Sequence, residues 1–368
     1  MIEIQGKYNT AKLFTTTAEQ SAITQVEHLL NQDFIAGSQI RIMPDAHAGM
    51  GCTIGTTMTL KDKVVPNLVG VDIGCGMETA LLKDRRVELS QLDKAIHEHI
   101  PSGFSTRATP HHFNGEIDLA KLKCAKHVDL KRAELSIGTL GGGNHFIELD
   151  KDEDGNLYIV IHSGSRNLGK QVCEHYQNAA ADALNRKGKG ADRVLAYLEG
   201  GLLDDYLHDM AIVQLYADLN RRAMMKELQK RVKFKITEQF TTVHNYIDLD
   251  SMILRKGAIS AKEGERVLIP MNMRDGSLIC IGKGNPDWNY SAPHGAGRIM
   301  SRTAAKQSIT LSQYEKAMEG IYSSTVNKST IDEAPFAYKP MEEIVANIHN
   351  TADIIKTIRP LFNFKAAE

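Results

Sequence analysis

The feature that most constrains this chain is a pattern that occurs four times, in which a short apolar run meets a loop carrying glycine and polar side chains. The four segments read "VGVDIGCGM", "GGGNHFIEL", "VIHSGSRNLG" and "TTVHNYI". Short apolar runs bounded by Gly, Asn, Asp and Ser are typical of β-strands joined by tight turns. The pattern therefore predicts a sheet-rich fold in which strand ends carry chemically active groups.

The rest of the chain has a helical middle with strand-rich parts on either side. Residues 170–186 and 202–232 have helical texture, and the second stretch is long enough for two helices. The charges of the second stretch, including "NRRAMMKELQKR", are interpreted as a solvated helix face, with a basic ledge for a polynucleotide backbone as the alternative. Residues 18–31 predict a helix capped by Thr17. The segment "MEEIVANIHNTADIIKTIRPLF" predicts helix before Pro360 and extended chain after it.

We expect the whole chain, residues 1–368, to form a single α+β domain with a helical insertion at roughly residues 170–235. The strand-rich parts on both sides of the insertion carry similar polar loops. No Pro/Ser-rich linker and no repeat divides the sequence.

Composition narrows the class of protein further. The formal net charge of −1 argues against a generally basic coat for nucleic acid, although it allows a local basic groove. No apolar run is long enough to span a bilayer, and the N-terminus lacks the apolar stretch of a signal peptide. The five cysteines are scattered and form no C-x-x-C pair. We therefore expect a cytoplasmic protein with neither a disulfide framework nor a zinc finger.

The polar loops together contain a mixed set of metal-binding groups. They supply the carboxylate of Asp72, the thiol of Cys75 and the imidazoles of His145, His162 and His244. Such a set suits borderline divalent cations such as Mn²⁺, Zn²⁺, Co²⁺ or Fe²⁺. Each residue alone also has a plainer interpretation, as a turn former, a small buried thiol or a hydrogen-bonded core histidine. Three histidines in similar positions favour the joint interpretation as a metal site.

Another histidine, His294, stands in "YSAPHGAGRIMSR" between small residues that would let a large ligand approach the backbone. On a helix begun near Gly295, Arg298 and Arg302 would lie on roughly one face. The segment therefore predicts an imidazole beside a phosphate-binding patch.

Two further segments allow more than one interpretation. Asp45 and His47 in "DAHAGMGCTIG" fit either a capped turn or a contact to substrate or to a metal-bound side chain. The segment "GTLGGGNH" fits a tight turn or a cradle of backbone N–H groups for phosphate. It is neither a Walker A loop nor a G-x-G-x-x-G fingerprint.

These segments, with "MPDAHAGMGCTIG", "RKGA", "SAPHGAGRIMSRTAAK" and "DEAPFAYKP", strongly resemble the RtcB family of RNA ligases in content and in order, from about residue 40 to the C-terminus. The resemblance implies the family's α+β fold, with mixed β-sheets around a deep polar cleft for metal and nucleotide. It also implies a ligase that uses GTP and two Mn²⁺ ions per active site. Such enzymes join RNA 3′-phosphate or 2′,3′-cyclic phosphate ends to 5′-hydroxyl ends through a histidine–GMP intermediate, in RNA repair or tRNA splicing.

The resemblance also implies roles for individual residues of this chain. The implied metal ligands are Asp72, Cys75, His145, His162 and His244, with Cys75 bridging two ions. His294 is the implied nucleophile toward GTP, and Arg298 would neutralise charge during phosphoryl transfer. The implied nucleotide-binding residues are Asn144, Phe146, Glu148, Asn245, Met271, Ser277, His294, Gly295, Gly297, Tyr338 and Lys365. Arg166 and Lys256 are the implied RNA- or phosphate-binding residues.

The chain departs from the family pattern at "IPMNMRDGS", where a small Gly/Ser-rich loop is usual. Because this segment normally helps to hold the nucleotide, the departure suggests a divergent branch. We hypothesise that this branch repairs a particular broken RNA.

The alternative function is a metal-dependent phosphoesterase or nuclease that acts on RNA ends, since the same ligands could activate water. A binding protein for RNA ends without catalysis ranks behind both. His294 and Arg298 favour the ligase, because a hydrolase needs no histidine that carries a nucleotide. The expected partners are GTP, tRNA or rRNA fragments with broken ends, and an activating protein; we expect a monomer with no membrane association.

Overall fold

The computed structural model describes residues 1–49, 51–188 and 192–366. Its strands are β1 Ile2–Gln5, β2 Thr10–Leu13, β3 Ile40–His47, β4 Ile54–Thr59, β5 Lys63–Val64, β6 Gly76–Leu82, β7 Phe146–Lys151, β8 Leu157–Ser163, β9 Leu198–Glu199, β10 Ile236–Val243, β11 Asn245–Asp248, β12 Ile253–Lys256, β13 Ala258–Ser260, β14 Arg266–Asn272, β15 Gly276–Gly282, β16 Ser291–Pro293 and β17 Ala352–Lys365. Its α-helices are α1 Gln20–Leu30, α2 Leu89–His99, α3 Leu130–Ser136, α4 Arg166–Arg186, α5 Gly201–Val232, α6 Arg302–Ser308, α7 Leu311–Ala317 and α8 Met341–Ile348. The predicted mixture of helices and several sheets is confirmed.

The larger sheet has seven strands in the order β10-β6-β8-β7-β17-β15-β14, and all neighbouring strands are antiparallel. Its two edge strands approach each other. The backbone N–H of Leu268 on β14 donates to Thr242 on β10 at 3.1 Å, and Arg266 pairs with Glu238 at 2.6 Å. The sheet therefore curls round on itself, which twisted strands permit.

Alternation of side chains gives this sheet two different faces. Ile147 and Leu149 of β7 belong to an apolar cluster that also includes residues of α2 and α5. Phe146 belongs to another cluster, with Val160 of β8 and Ile279 of β15. The second cluster lies inside the curl, so that one end of this interior is available for a binding site.

The second sheet has six strands in the order β1-β2-β3-β4-β12-β11, with only β2 and β3 parallel. It shares a large apolar core with α1, α4 and α5, which includes Ile42, Val172 and Tyr206. Two short pairs, β13–β16 and β5–β9, complete the strand pairing among the described residues. The β13–β16 pair leads directly into the segment that contains His294.

The predicted helical middle consists of α4 and α5. α4 begins at Arg166, earlier than residue 170, and α5 is one continuous helix rather than two. α5 ends where Lys233 adopts the left-handed conformation, with φ of 64°. It contributes to the cores of both large sheets and so joins them. None of the described helices is both long and apolar enough to cross a membrane.

Two expectations about helix ends are wrong in detail. α1 follows Glu19, which makes no side-chain cap, and the Thr17 hydroxyl instead donates to Glu343. The C-terminal helix α8 ends at Ile348, and β17 then runs through Pro360. A shift in the pairing of β17 with β7 lies just after Pro360, which lacks the N–H that regular pairing uses.

Candidate active site

The predicted metal ligands meet because their strands are antiparallel neighbours. β6 begins where β8 and β10 end, since Gly76 is opposite Ser163 and also opposite Val243. β7 begins at the same edge, where Phe146 is opposite His162. Residues just outside or at these strand ends therefore lie at one edge of the sheet. Cys75, His145, His162 and His244 occupy these positions.

The distances confirm that these side chains converge on the thiol of Cys75. Its Sγ lies 3.3 Å from Nε2 of His162 and 3.5 Å from Nε2 of His145. Nε2 of His145 lies 2.9 Å from Oδ2 of Asp72. Two groups have ligand atoms within 4.8 Å of one another: Asp72, Cys75 and His145, and Cys75, His162 and His244. Cys75 belongs to both, so the arrangement offers two adjacent cation sites with one shared sulfur.

Backbone carbonyl groups orient two of the imidazoles. Nδ1 of His145 lies 2.8 Å from the carbonyl oxygen of Leu140, and Nδ1 of His162 lies 3.1 Å from that of Asn144. Because a carbonyl oxygen only accepts, Nδ1 of His162 carries the proton. Nε2 of His162 is then left with a lone pair directed at Cys75, as metal-ligating histidines require.

The electrostatics of the cluster fit a divalent cation. Burial and then the neighbouring Asp72 raise the pKa of the Cys75 thiol well above its usual value. Burial and then neighbouring imidazoles lower the pKa values of His162 and His244, so both rings are neutral. Burial alone would raise the pKa of Asp72, but the hydrogen bond and charge of His145 lower it. A bound cation would stabilise the thiolate and accept these lone pairs.

Two buried atoms of the cluster also fit a cation. Oδ1 of Asp72 and Nδ1 of His244 have no hydrogen-bond partner among the described residues. Buried polar atoms are rarely left in this state unless another group satisfies them. The mixed carboxylate, thiolate and imidazole donors are of the kind that borderline transition metals accept.

Two consecutive residues of α5 hold the loops that carry the predicted metal ligands. Arg221, only 1% exposed, donates to the carbonyl oxygens of Gly74 at 2.7 Å and Ser163 at 3.0 Å. Asn220 accepts from the backbone N–H groups of Gly138 and Thr139 at 2.8 and 3.0 Å. The interpretation of these charges as a solvated helix face is therefore wrong at Arg221. Sequence reasoning missed both residues, since their pattern does not differ from that of an exposed helix.

His294 lies at the end of β16 and is oriented by the fully buried Asp45 of β3. Oδ2 of Asp45 lies 2.7 Å from Nδ1 of His294 and accepts from the backbone N–H groups of His294 at 3.0 Å and Gly295 at 3.2 Å. The His294 ring centroid is 5.0 Å from that of His244. Nε2 of His294 thus remains available beside the metal donors. His47 lies nearby, and burial lowers its pKa to about 4.

The expected helix near Gly295 is absent, and the two arginines meet in another way. Residues 294–301 are irregular, with bends and one isolated bridge from Arg298 to Tyr338, and α6 begins at Arg302. Arg298 pairs with the buried Glu333 at 3.2 Å, and Arg302 pairs with Glu333 at 2.8 Å and with Asp332 at 2.6 Å. The phosphate patch expected from the sequence is therefore already neutralised by two acidic residues.

Glu333 also joins the arginines to the predicted nucleotide pocket. The hydroxyl of Tyr338 donates to it at 2.6 Å, and Nζ of Lys365 lies 2.7 Å away. Burial opposes ionisation of Glu333, but the charges of Lys365 and Arg302 hold its pKa below the usual value. Glu333 lies in the segment "DEAPFAYKP", and no role was predicted for it from the sequence.

A cavity of about 700 Å³ extends from the metal donors past His294 to this ionic cluster. The predicted site residues that line it are Asp72, Cys75, Asn144, Phe146, Glu148, His162, His244, Asn245, Lys256, Met271, His294, Gly295, Gly297, Arg298, Tyr338 and Lys365. Three other predicted residues lie outside the lining. His145 is buried in the donor cluster, Ser277 is fully buried on β15, and Arg166 lies 3.1 Å from Nδ1 of His145.

Several of the lining residues are held by backbone groups. The carbonyl oxygen of Asn144 accepts from Nζ of Lys365 at 2.9 Å as well as from His162. Oδ1 of Asn245 accepts from the N–H of Gly257 at 2.9 Å. Nζ of Lys256 donates to the carbonyl oxygen of Asn67 at 2.7 Å, and burial lowers the pKa of this lysine.

The unusual segment "IPMNMRDGS" is divided between the cavity and the surface. Pro270, Met271, Asn272 and Met273 line the cavity. Arg274 and Asp275 form an ion pair at 2.8 Å in the turn between β14 and β15. The departure from the family pattern thus places two methionines and an asparagine against the cavity.

Comparison with known proteins gives one consistent result. A family model described as tRNA-splicing ligase RtcB matches residues 25–114 and 106–366. The chain is 34% identical to the RNA-splicing ligase RtcB of Escherichia coli K12 over 386 residues, which cover 93% of each chain. It is 28% identical to the tRNA-splicing ligase RtcB of Aeropyrum pernix, over 87% of this chain and 86% of the relative. It is also 28% identical to that of Archaeoglobus fulgidus, over 91% and 90%.

Proposed function

The chain belongs to the RtcB family of RNA ligases, and from that premise we propose that it joins RNA 3′-phosphate or 2′,3′-cyclic phosphate ends to 5′-hydroxyl ends, using GTP and Mn²⁺. The observation that carries the proposal is the position of His294. Its imidazole is held by the buried carboxylate of Asp45 and lies beside two groups of potential metal ligands. A hydrolase would need the donors but needs no histidine that carries a nucleotide.

In this proposal the donor cluster would hold two cations, and Cys75 would be available to both. Asp72 and His145 complete one site, and His162 and His244 complete the other. Bound cations would supply positive charge to phosphate oxygens and keep the thiolate deprotonated. Arg221 and the carbonyl groups behind the imidazoles keep the ligands in place without rearrangement.

His294 is the proposed nucleophile, through Nε2. Oδ2 of Asp45 accepts a hydrogen bond from the protonated Nδ1 of His294. The carboxylate would also stabilise the positive charge that develops on the ring. Attack on the α-phosphorus of GTP would form an N–P bond and release pyrophosphate, giving histidine–GMP. An oxygen of the RNA 3′-phosphate would then attack the same phosphorus and restore neutral His294. The 5′-hydroxyl would finally attack the activated end and release GMP; a cyclic end must first be opened by water.

The ionic cluster at the other end of the cavity suits the nucleotide. Phosphate oxygens of GTP would compete with Glu333 for Arg298. Tyr338, Lys365 and Glu148 line the cavity and offer polar groups for the base, as the family resemblance implies. The methionines of the "IPMNMRDGS" segment contact the same space, so they would influence how the nucleotide fits.

The proposal has a direct test. Purified protein is incubated with Mn²⁺ and GTP labelled with ³²P at the α-position, and the denatured protein is analysed before and after acid treatment. We expect an acid-labile label on the protein and none on His294→Ala, which should still bind Mn²⁺. A folded, metal-loaded protein that takes no label from any nucleotide, yet hydrolyses RNA ends, would replace the ligase with the phosphoesterase.

The proposal extends to the setting of the enzyme. We place it in the cytoplasm, where the five unpaired cysteines would remain reduced. The substrates would be broken tRNA or rRNA ends, joined by a monomer with the help of an activating protein. We treat the whole chain as one catalytic domain, because strands on both sides of α5 supply metal ligands.

A further inference from the structure

One large apolar side chain near the candidate active site has no packing role. Phe104 is 87% exposed, the largest fraction among the described large hydrophobic residues. A phenylalanine side chain contributes favourable free energy only when it is removed from water. The exposed ring would therefore be stabilised by a ligand that covers it during the reaction.

The loop that presents Phe104 is fixed at several points. The N–H of Gly103 donates to the carbonyl oxygen of Gly141 at 2.8 Å, and the N–H of Leu140 donates to that of Pro101 at 2.8 Å. Arg132 donates to the carbonyl oxygen of Phe104 itself at 2.8 Å. The ring is thus displayed on a braced turn, so the turn itself would lose little entropy when a ligand binds there.

The braced turn lies beside the metal donors. Gly141 is three residues from Asn144, which lines the cavity, so the two are at most about 11 Å apart. The guanidinium of Arg166 lies against Gly141, where a Cβ atom would collide with it. Arg166 has φ of 56°, an unusual value outside glycine, and its guanidinium reaches to 3.1 Å from His145.

We propose that Phe104 is a stacking platform for an unpaired base of the RNA strand whose end enters the cavity, with Arg166 at the adjoining phosphate. Exposed aromatic rings beside cationic groups bind single strands in this way, since every base has a face that can stack. Arg132 of α3 adds a second cation, since its guanidinium donates to the carbonyl oxygen of Phe104. This inference rests on the proposed function, because it takes an RNA end as the substrate.

The test uses Phe104→Ala and Phe104→Trp, with Ile355→Ala as a matched loss of an exposed apolar side chain on β17, 50% exposed. The probe is a single-stranded RNA with a 3′-phosphate and 2-aminopurine at the base next to the end. Stacking on the platform should quench its fluorescence. We expect Phe104→Ala to lose the quenching and to weaken binding by roughly tenfold. Phe104→Trp should retain both the quenching and the binding affinity, and Ile355→Ala should behave as the wild type.

Two controls separate this inference from the proposed function. Labelling by GTP takes place without RNA, so all three variants should label as the wild type does; a wild type that takes no label would contradict the proposed function alone. An RNA whose terminal bases are paired cannot stack on the platform, so its binding should not distinguish Phe104→Ala from the wild type. Unchanged quenching and binding of the single strand by Phe104→Ala would overturn the inference. So would a wild-type dimer that Phe104→Ala converts to a monomer, since a second copy would then cover the ring.

Discussion

Replacement of Asp45 tests the role of His294 most sharply, because all contacts of this carboxylate fall on one oxygen. Oδ2 accepts from Nδ1 and the N–H of His294 and from the N–H of Gly295, whereas Oδ1 has no hydrogen-bond partner among the described residues. Asp45→Asn can place its amide oxygen where Oδ2 stands and keep all three hydrogen bonds. It loses the negative charge, which makes a hydrogen bond roughly twice as strong.

The two possible substitutions should therefore differ in size. For Asp45→Asn the lost charge is worth about 1–2 kcal/mol, or roughly tenfold in the rate of protein labelling by GTP. Asp45→Ala leaves two buried N–H groups unpaired, at about 1–3 kcal/mol each, and frees the imidazole to turn. We expect its labelling rate to fall by at least about a hundredfold and its thermal midpoint to fall as well.

The assay is single-turnover labelling with saturating Mn²⁺ and GTP, beside thermal unfolding of the same samples. Asp45→Ala that labels within about threefold of the wild type would refute the positioning role of Asp45. Equal losses in Asp45→Asn and Asp45→Ala would refute the argument from a single accepting oxygen and make the charge itself essential.

Three further outcomes follow from the same structure. Arg221→Met removes both hydrogen bonds to the ligand loops and should weaken Co²⁺ binding by about 10–100-fold in a titration of cobalt absorption bands, whereas unchanged affinity in the folded variant would contradict the clamp. Cys75→Ser should abolish the thiolate-to-cobalt band and reduce the number of ions bound; two ions retained at unchanged affinity would exclude a shared sulfur. Burial raises the pKa of Glu78 to about 7 from a usual value of 4.5, so the unfolded chain ionises first and stability should fall as pH rises between these values. Glu78→Gln should therefore raise the thermal midpoint at pH 8 and leave it nearly unchanged at pH 4, and equal effects at both values would show that Glu78 does not titrate in this range.

The sequence alone determined the elements and most of the chemistry of the site. Short apolar runs bounded by Gly, Asn, Asp and Ser identified β6, β7, β8 and β10, because such runs are typical of buried strands joined by tight turns. Asp72, Cys75 and the three histidines stood out because their donor atoms are few and specific. The order of the motifs was sufficient to indicate the family. Helix ends were less certain, since the cap at Thr17 and the helix before Pro360 depended on competing local contacts.

Only the tertiary structure decided which groups act together. The antiparallel order of β10, β6, β8 and β7 brings the donors to one edge, and no local pattern encodes that order. Asp45 and His294 are 249 residues apart in the sequence, and their contact exists because β3 and β16 pack together. Arg221 has the local pattern of a solvated residue, yet packing buries it against two loops. Sequence periodicity reports the environment of each element, whereas burial and long-range pairing depend on how all the elements fit together.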